Sequence, residues 1–124
     1  MGDFRKLEVW VIAHNLTVQI YKLTARFPEE ERFGLSSQIR RAAVSIESNI
    51  AEGEARYTNN DKNNFFIIAR GSVAEVQTQL LIAADVFHLN TGELYKKYDI
   101  LGRKLTMIVK HRRKPAKPID QSTY

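Results

Sequence analysis

The sequence predicts an all-α protein, an antiparallel up-and-down four-helix bundle. Apolar residues recur at spacings of three and four in four separate segments, which is the period of an amphipathic helix. No run alternates between apolar and polar residues for long enough to indicate a strand. Short connections separate the segments, and in a bundle such connections join antiparallel neighbours. A chain of 124 residues suits one domain.

The first two helices are separated by a proline-containing connection. The first apolar stripe ends at Phe27, because Pro28 disfavours helical backbone in the residue before it. Ser36 or Ser37 is expected to cap the second helix, which reaches Gly53. The two stripes are Trp10, Ala13, Thr17, Ile20, Thr24 and Phe27 in the first helix, and Leu35, Ile39, Ala42, Ala43, Ile46 and Ile50 in the second.

The third and fourth helices are divided by the turn that begins at Asn90. Thr58, followed three residues later by Asp61, predicts the start of a third helix that extends to Leu89. The fourth helix follows the turn and extends to Arg113. Their stripes are Phe65, Phe66, Ala69, Val73, Val76, Leu80, Ala83 and Phe87 in the third helix, and Leu94, Tyr98, Leu101, Leu105 and Ile108 in the fourth.

The net charge of +5 is concentrated at the C-terminus. Residues 1–109 contain 14 basic and 13 acidic side chains, whereas residues 110–124 contain five basic side chains and one acidic. Pro115 and Pro118 disfavour helix after Arg113. We therefore assign residues 1–113 to the bundle and residues 114–124 to a basic tail.

Composition excludes several classes of protein. Without cysteine the chain has no disulfide framework and no thiolate chemistry. No apolar run exceeds five residues, so no membrane span is predicted. The N-terminus lacks the apolar core of a signal peptide, and we expect a cytoplasmic protein without a membrane partner.

A second, polar stripe follows the second and third helices. Its members on the second helix are Gln38, Arg41, Ser45, Asn49, Glu52 and Arg56, and those on the third are Ser72, Glu75 and Gln79. These stripes are either solvated faces or a partly buried network between two helices. Short Ser and Asn side chains favour the network, because they are poor choices for an exposed helical surface. An ion pair between Arg41 and Glu75 is expected within it.

Two separated blocks resemble a known family. Residues 38–53, QIRRAAVSIESNIAEG, and residues 68–80, IARGSVAEVQTQL, are similar in order and spacing to the bacterial four-helix-bundle proteins encoded in intervening sequences of 23S ribosomal RNA genes. The resemblance covers about residues 4–89, and Glu47 departs from it because the family often has proline there. It implies a homopentamer related to the accessory variability determinants of diversity-generating retroelements, which bind nucleic acid and partner with a reverse transcriptase. It implies no catalysis.

No catalytic or metal site is predicted. Asp85 and His88 stand one helical turn apart, but the paired Glu-x-x-His motifs of a di-iron bundle are missing. Arg103 and His111 have seven residues between them, which is outside the Arg-to-His window of helical ribonucleases. We expect no cofactor.

The basic residues are the candidate nucleic-acid contacts. They are Arg40, Lys110, Arg112, Arg113, Lys114 and Lys117. Such residues neutralise phosphates and release counterions without reading sequence. The alternative is ordinary surface solubility. The sequence thus favours a non-enzymatic homo-oligomer that binds RNA, DNA or a nucleic-acid-processing protein, with a protein-only assembly scaffold as the alternative.

Overall fold

A computed structural model describes residues 2–113 as four α-helices. They are α1 (Glu8–Thr24), α2 (Leu35–Glu54), α3 (Asn59–Phe87) and α4 (Gly92–Arg112). Single 3₁₀ turns occupy Phe4–Lys6 and Glu29–Glu31. No strand occurs in this part of the chain, so the all-α class and the four predicted helices are confirmed.

Both ends of the α1–α2 connection differ from the prediction. α1 ends at Thr24, because the amides of Arg26 and Phe27 donate to carbonyl groups three residues back and tighten the turn. α2 begins at Leu35, ahead of both serines, because the Leu35 amide donates to Glu31 Oε2 at 3.0 Å. The carboxylate thus satisfies one of the free amides at the start of the helix.

The ends of α3 follow from local backbone chemistry. The Thr58 hydroxyl accepts from the Asp61 amide at 3.1 Å, which confirms the predicted cap. The helix stops at Phe87 because His88 adopts left-handed backbone, with φ of 57°.

The apolar stripes of all four helices meet in one core. Its largest fully buried side chains are Ile20 of α1, Ile39, Ile46 and Ile50 of α2, Phe66, Val73, Val76 and Leu80 of α3, and Tyr98, Leu101 and Leu105 of α4. α2 and α3 approach closely at Gly53, where an added Cβ would lie 2.8 Å from Phe66 Cδ1. The helices therefore pack as a bundle whose spacing depends on small residues in α2.

By length and composition alone, α3 could cross a membrane. Its most apolar window has a mean hydropathy of 1.2. The core helix of a soluble bundle passes the same test, and Phe66, Val73 and Leu80 of α3 are fully buried among the other helices. This feature is thus weak support for a membrane span.

Candidate nucleic-acid interface

Arg40 is held at the surface by contacts with the end of α1. Its guanidinium carbon lies 4.5 Å from the centre of the Tyr21 ring, within the range of a cation–π contact. Arg40 Nε donates to Thr24 Oγ1 at 2.7 Å, and the same hydroxyl donates to the Tyr21 carbonyl oxygen. Arg40 makes no ion pair within residues 2–113. Its orientation is therefore fixed while its charge stays available.

An open groove lies beside Arg40, between α1, α2 and their connection. Its volume is about 600 Å³. We call it the α1–α2 groove, and its lining residues are Tyr21, Arg32, Phe33, Ser37, Arg40, Arg41, Val44 and Ser45. Among the described residues, three arginines and no carboxylate line it. The groove thus combines positive charge with two exposed aromatic rings.

Sequence reasoning missed most of this groove. Phe33 is 89% exposed and Tyr21 45%, although both are large apolar side chains. Arg32 lies over the Phe33 ring at 5.4 Å. The available signal was the Arg32-Phe33 pair in a connection, where Phe33 belongs to no helical stripe.

A second basic surface lies at the end of α4. Lys110 and Arg113 are exposed, whereas Arg112 is half-buried with its guanidinium carbon 4.3 Å from the Phe66 ring centre. Arg112 Nη1 donates to Asn63 Oδ1 at 3.4 Å. Burial lowers the pKa of Arg112, and the charge of Glu54 opposes this shift. Arg112 thus packs against α3, and Lys110 and Arg113 are the freer charges.

Among the described residues, the α1–α2 groove and the basic end of α4 lie apart. Arg112 contacts Asn63, and the neighbouring Lys62 donates to the Glu54 carbonyl oxygen at the end of α2. From Glu54 back to Arg40 the helix is about 20 Å long. Lys114 and Lys117, which were predicted as further contacts, lie outside the described residues. The described candidate contacts, Arg40 on one side and Lys110, Arg112 and Arg113 on the other, therefore form two sites.

Part of the polar stripe forms contacts between α2 and α3. Ser45 Oγ and Ser72 Oγ share a hydrogen bond at 3.0 Å. Asn49 Nδ2 donates to the Ser45 carbonyl oxygen at 2.8 Å and lies 3.1 Å from its hydroxyl. Gln79 is buried, and its Oε1 has no hydrogen-bond partner within residues 2–113. Among the described residues, the stripe therefore joins α2 to α3 through the Ser45–Ser72 hydrogen bond, and Asn49 holds Ser45 from within α2.

The expected ion pair between Arg41 and Glu75 is not formed. Both side chains are exposed, and no ion pair in residues 2–113 joins them. The reason is that Arg41 lines the α1–α2 groove rather than the contact with α3. Gln38 is likewise exposed, and Glu52 is exposed in an ion pair with Arg56 at 2.7 Å within α2.

A polar group also lies inside the core. The Tyr98 hydroxyl is buried and has no hydrogen-bond partner among the described residues. Burial raises the pKa of Tyr98, and the nearby charge of Glu47 raises it further. Glu47 Oε2 itself lies 2.8 Å from Nδ1 of His14, whose ring stacks on Trp10. Glu47 therefore links α2 to α1.

A solved structure supports the fold. The chain is similar to a protein of unknown function from the S23 ribosomal protein family of Bacteroides thetaiotaomicron, with 25% identity and a TM-score of 0.58. The similarity covers 84% of this chain and 94% of that one. No curated protein matches the chain.

The family model for the 23S rRNA-intervening sequence protein matches residues 5–108. The match extends through most of α4, beyond the segment for which the sequence blocks suggested a resemblance. It includes Arg40 and Arg41 but ends before Lys110. The chain belongs to the 23S rRNA-intervening sequence protein family.

Proposed function

We propose that this protein is a non-enzymatic homo-oligomer that binds nucleic acid, alone or in a nucleoprotein complex, through its basic surfaces. The observation that carries the proposal is the α1–α2 groove, whose lining contains three arginines and no carboxylate. Residues 1–109 have nearly balanced charge, so this cluster is a local feature. Phosphates supply the negative charge that the groove lacks.

The C-terminal basic residues act on the same ligand in a simpler way. Five basic side chains lie between Lys110 and Lys117. Each phosphate that they neutralise releases counterions, so five contacts give a slope of about −4 to −5 in log affinity against log salt per subunit. This contribution does not depend on base sequence.

We further propose an antiparallel up-and-down bundle assembled as a homopentamer. The antiparallel order is supported by contacts that pair late residues of one helix with early residues of the next, such as Thr24 with Arg40 and Glu54 with Lys62. Assembly is supported by exposed apolar side chains on α1 and α4, including Val18, Ile100 and Met107. Five copies would present each basic surface five times and raise affinity by multivalency.

A protein-only scaffold is the second candidate function. Its supporting observation is an apolar groove of about 320 Å³ on α4, lined by Ile100, Arg103, Lys104, Met107 and Ile108. A surface of this kind suits a protein partner or another subunit, because contiguous exposed apolar area marks interaction sites.

Binding and mass measurements separate the two functions. Fluorescence anisotropy with labelled single-stranded RNA, single-stranded DNA and duplex DNA, from about 50 to 200 mM salt, should show binding that weakens steeply with salt. Light scattering should give the mass of a pentamer. Absence of binding to all three probes at the lowest salt would contradict nucleic-acid binding and favour the scaffold. A monomeric mass would contradict the assembly.

A further inference from the structure

We propose that the α1–α2 groove is a binding site for single-stranded nucleic acid, in which an unpaired base stacks on Phe33 and neighbouring phosphates contact Arg40 and Arg41. This inference rests on the proposed nucleic-acid binding. It adds where the strand lies, which chemical groups it uses, and a preference for single strands over duplexes.

The exposed ring of Phe33 is the stacking surface. With 89% of the residue exposed, Phe33 contributes almost nothing to the core, and three arginines line the same groove. Aromatic side chains beside positive charge are the common elements of single-strand binding sites, because every base has a face that can stack. Arg32 already lies over one face of this ring, 5.4 Å from its centre, so a base would stack on the opposite face.

The arginines supply an organised charge. Arg40 is fixed by Thr24 and Tyr21, so little side-chain freedom is lost when it binds a phosphate. Arg41 is exposed on the next position of α2. Glu29 lines the neighbouring pocket together with Arg32 and Arg40 but forms no ion pair with them in the described residues, and Glu31 caps α2. The groove therefore presents its positive charge to a ligand.

The size and shape of the groove suit one or two nucleotides. About 600 Å³ falls within the range of small-molecule sites, and the groove is open to solvent along α2. A base within a duplex is already stacked and paired, so it cannot reach Phe33 without being flipped out. A base in a single strand is already unpaired, so no base pair has to be broken. The site should therefore bind single strands more tightly than duplexes.

A second copy of this chain is the competing occupant. A second copy would have to place its own carboxylates against these three arginines, because burying the arginines unpaired costs each charge its hydration. Phosphates remove that cost, since they bring the opposite charge. Charge complementarity thus favours the nucleic acid.

Phe33→Ala in the full chain tests the proposal, with Tyr57→Ala as its matched control. Tyr57 is also an exposed aromatic residue, 86% exposed, but it lies outside the groove, in the α2–α3 connection at the end of the bundle that holds Arg112. A loss of affinity in Tyr57→Ala alone would therefore assign the stacking to the second basic surface and overturn the groove as the site. Affinity is measured by anisotropy for a labelled single strand of about 16 nucleotides and for the matching duplex. We expect Phe33→Ala to weaken single-strand binding by about 5- to 100-fold, since stacking contributes on that scale. Duplex binding should be unchanged, and Tyr57→Ala should bind like the native chain.

Phe33→Trp adds a test that retains the stacking face. Its single-strand affinity should equal or exceed that of the native chain. Equal single-strand affinity of Phe33→Ala and the native chain would overturn the groove as the site while leaving nucleic-acid binding intact. Light scattering compares the mass of the two variants. If Phe33→Ala formed a smaller assembly than Tyr57→Ala, the groove would be a contact between subunits and the proposed nucleic-acid site would be wrong. Failure of the native chain to bind any probe would instead contradict the proposed function itself.

Discussion

The two basic surfaces of this bundle differ in the types of residue that form them. The α1–α2 groove combines three arginines with the rings of Tyr21 and Phe33, and it lies inside the segment that matches the family. The end of α4 presents Lys110 and Arg113 beyond that segment, with Arg112 packed on Phe66. The groove thus combines charge with aromatic rings, whereas the described residues at the end of α4 contribute basic side chains and no Phe, Tyr or Trp. Positive charge alone therefore does not define the kind of nucleic acid that each surface suits.

The largest expected effect comes from removing charge at the end of α4. Replacing Lys110, Arg113, Lys114 and Lys117 by Gln should reduce the salt slope by about 3 to 4 units per subunit, since each lost phosphate contact removes about 0.9. Affinity at low salt should fall by about 100-fold or more, to a similar extent for single strands and duplexes. Anisotropy across a salt series measures both quantities.

Arg103→Gln is the control for this change. Arg103 is an exposed arginine of α4 that pairs with Asp99, and its loss should leave the slope nearly unchanged. The comparison would be contradicted if the four-residue variant lost single-strand binding but kept duplex binding. That result would place base recognition at the end of α4 rather than in the α1–α2 groove.

The next effect concerns stability, and it comes from the close packing of α2 against α3 at Gly53. Gly53→Ala places a methyl group against Phe66 and within 3.0 Å of Phe65 Cβ, so it should lower the free energy of unfolding by about 1 to 3 kcal/mol. Gly71→Ala is the matched control, because nothing lies within 4 Å of its added Cβ. That change should raise the free energy of unfolding by about 0.5 to 1 kcal/mol. Chemical denaturation measures the free energy of unfolding of both variants. Equal changes in the two would contradict the close contact between α2 and α3 at Gly53.

A smaller effect is expected from Tyr98→Phe, which removes a buried hydroxyl from the core. Because that hydroxyl has no partner in the described residues, its loss should raise the free energy of unfolding by about 1 kcal/mol at neutral pH. Tyr95→Phe, a half-buried tyrosine of the same helix, should change it by less than about 0.5 kcal/mol. A loss of stability in Tyr98→Phe would show that the hydroxyl has a stabilising partner.

The same residue predicts a pH dependence. Burial raises the pKa of folded Tyr98 above the ordinary value of about 10, so the unfolded chain loses this proton first as the pH rises. Stability is therefore retained below about pH 10 and decreases above it. Tyr98→Phe should show a smaller decrease in denaturation experiments at alkaline pH, whereas an identical decrease in both proteins would contradict the assignment.

Periodicity was sufficient to predict the four helices but not the α1–α2 groove. The apolar stripes identify the buried faces, as Ile39, Val73 and Leu105 illustrate, because burial follows the helical period. The groove joins Tyr21, Phe33 and Arg40, which belong to two helices and their connection, and no single helical period places them together. The prediction of an Arg41–Glu75 ion pair was wrong because periodicity identifies the polar face of each helix but not which residues of two helices lie opposite each other. Arg41 lines the groove, and Glu75 is exposed.

Photocrosslinking of a bromouridine-containing single strand to the native chain tests the central claim most directly. The stacked base should crosslink to the aromatic residues of the groove, and mass spectrometry of the digested complex should identify a peptide that contains Phe33 or Tyr21. Duplex competitor should reduce this crosslink less than unlabelled single strand does. Crosslinks confined to Tyr57 or to residues 110–124 would contradict the assignment of base stacking to the α1–α2 groove.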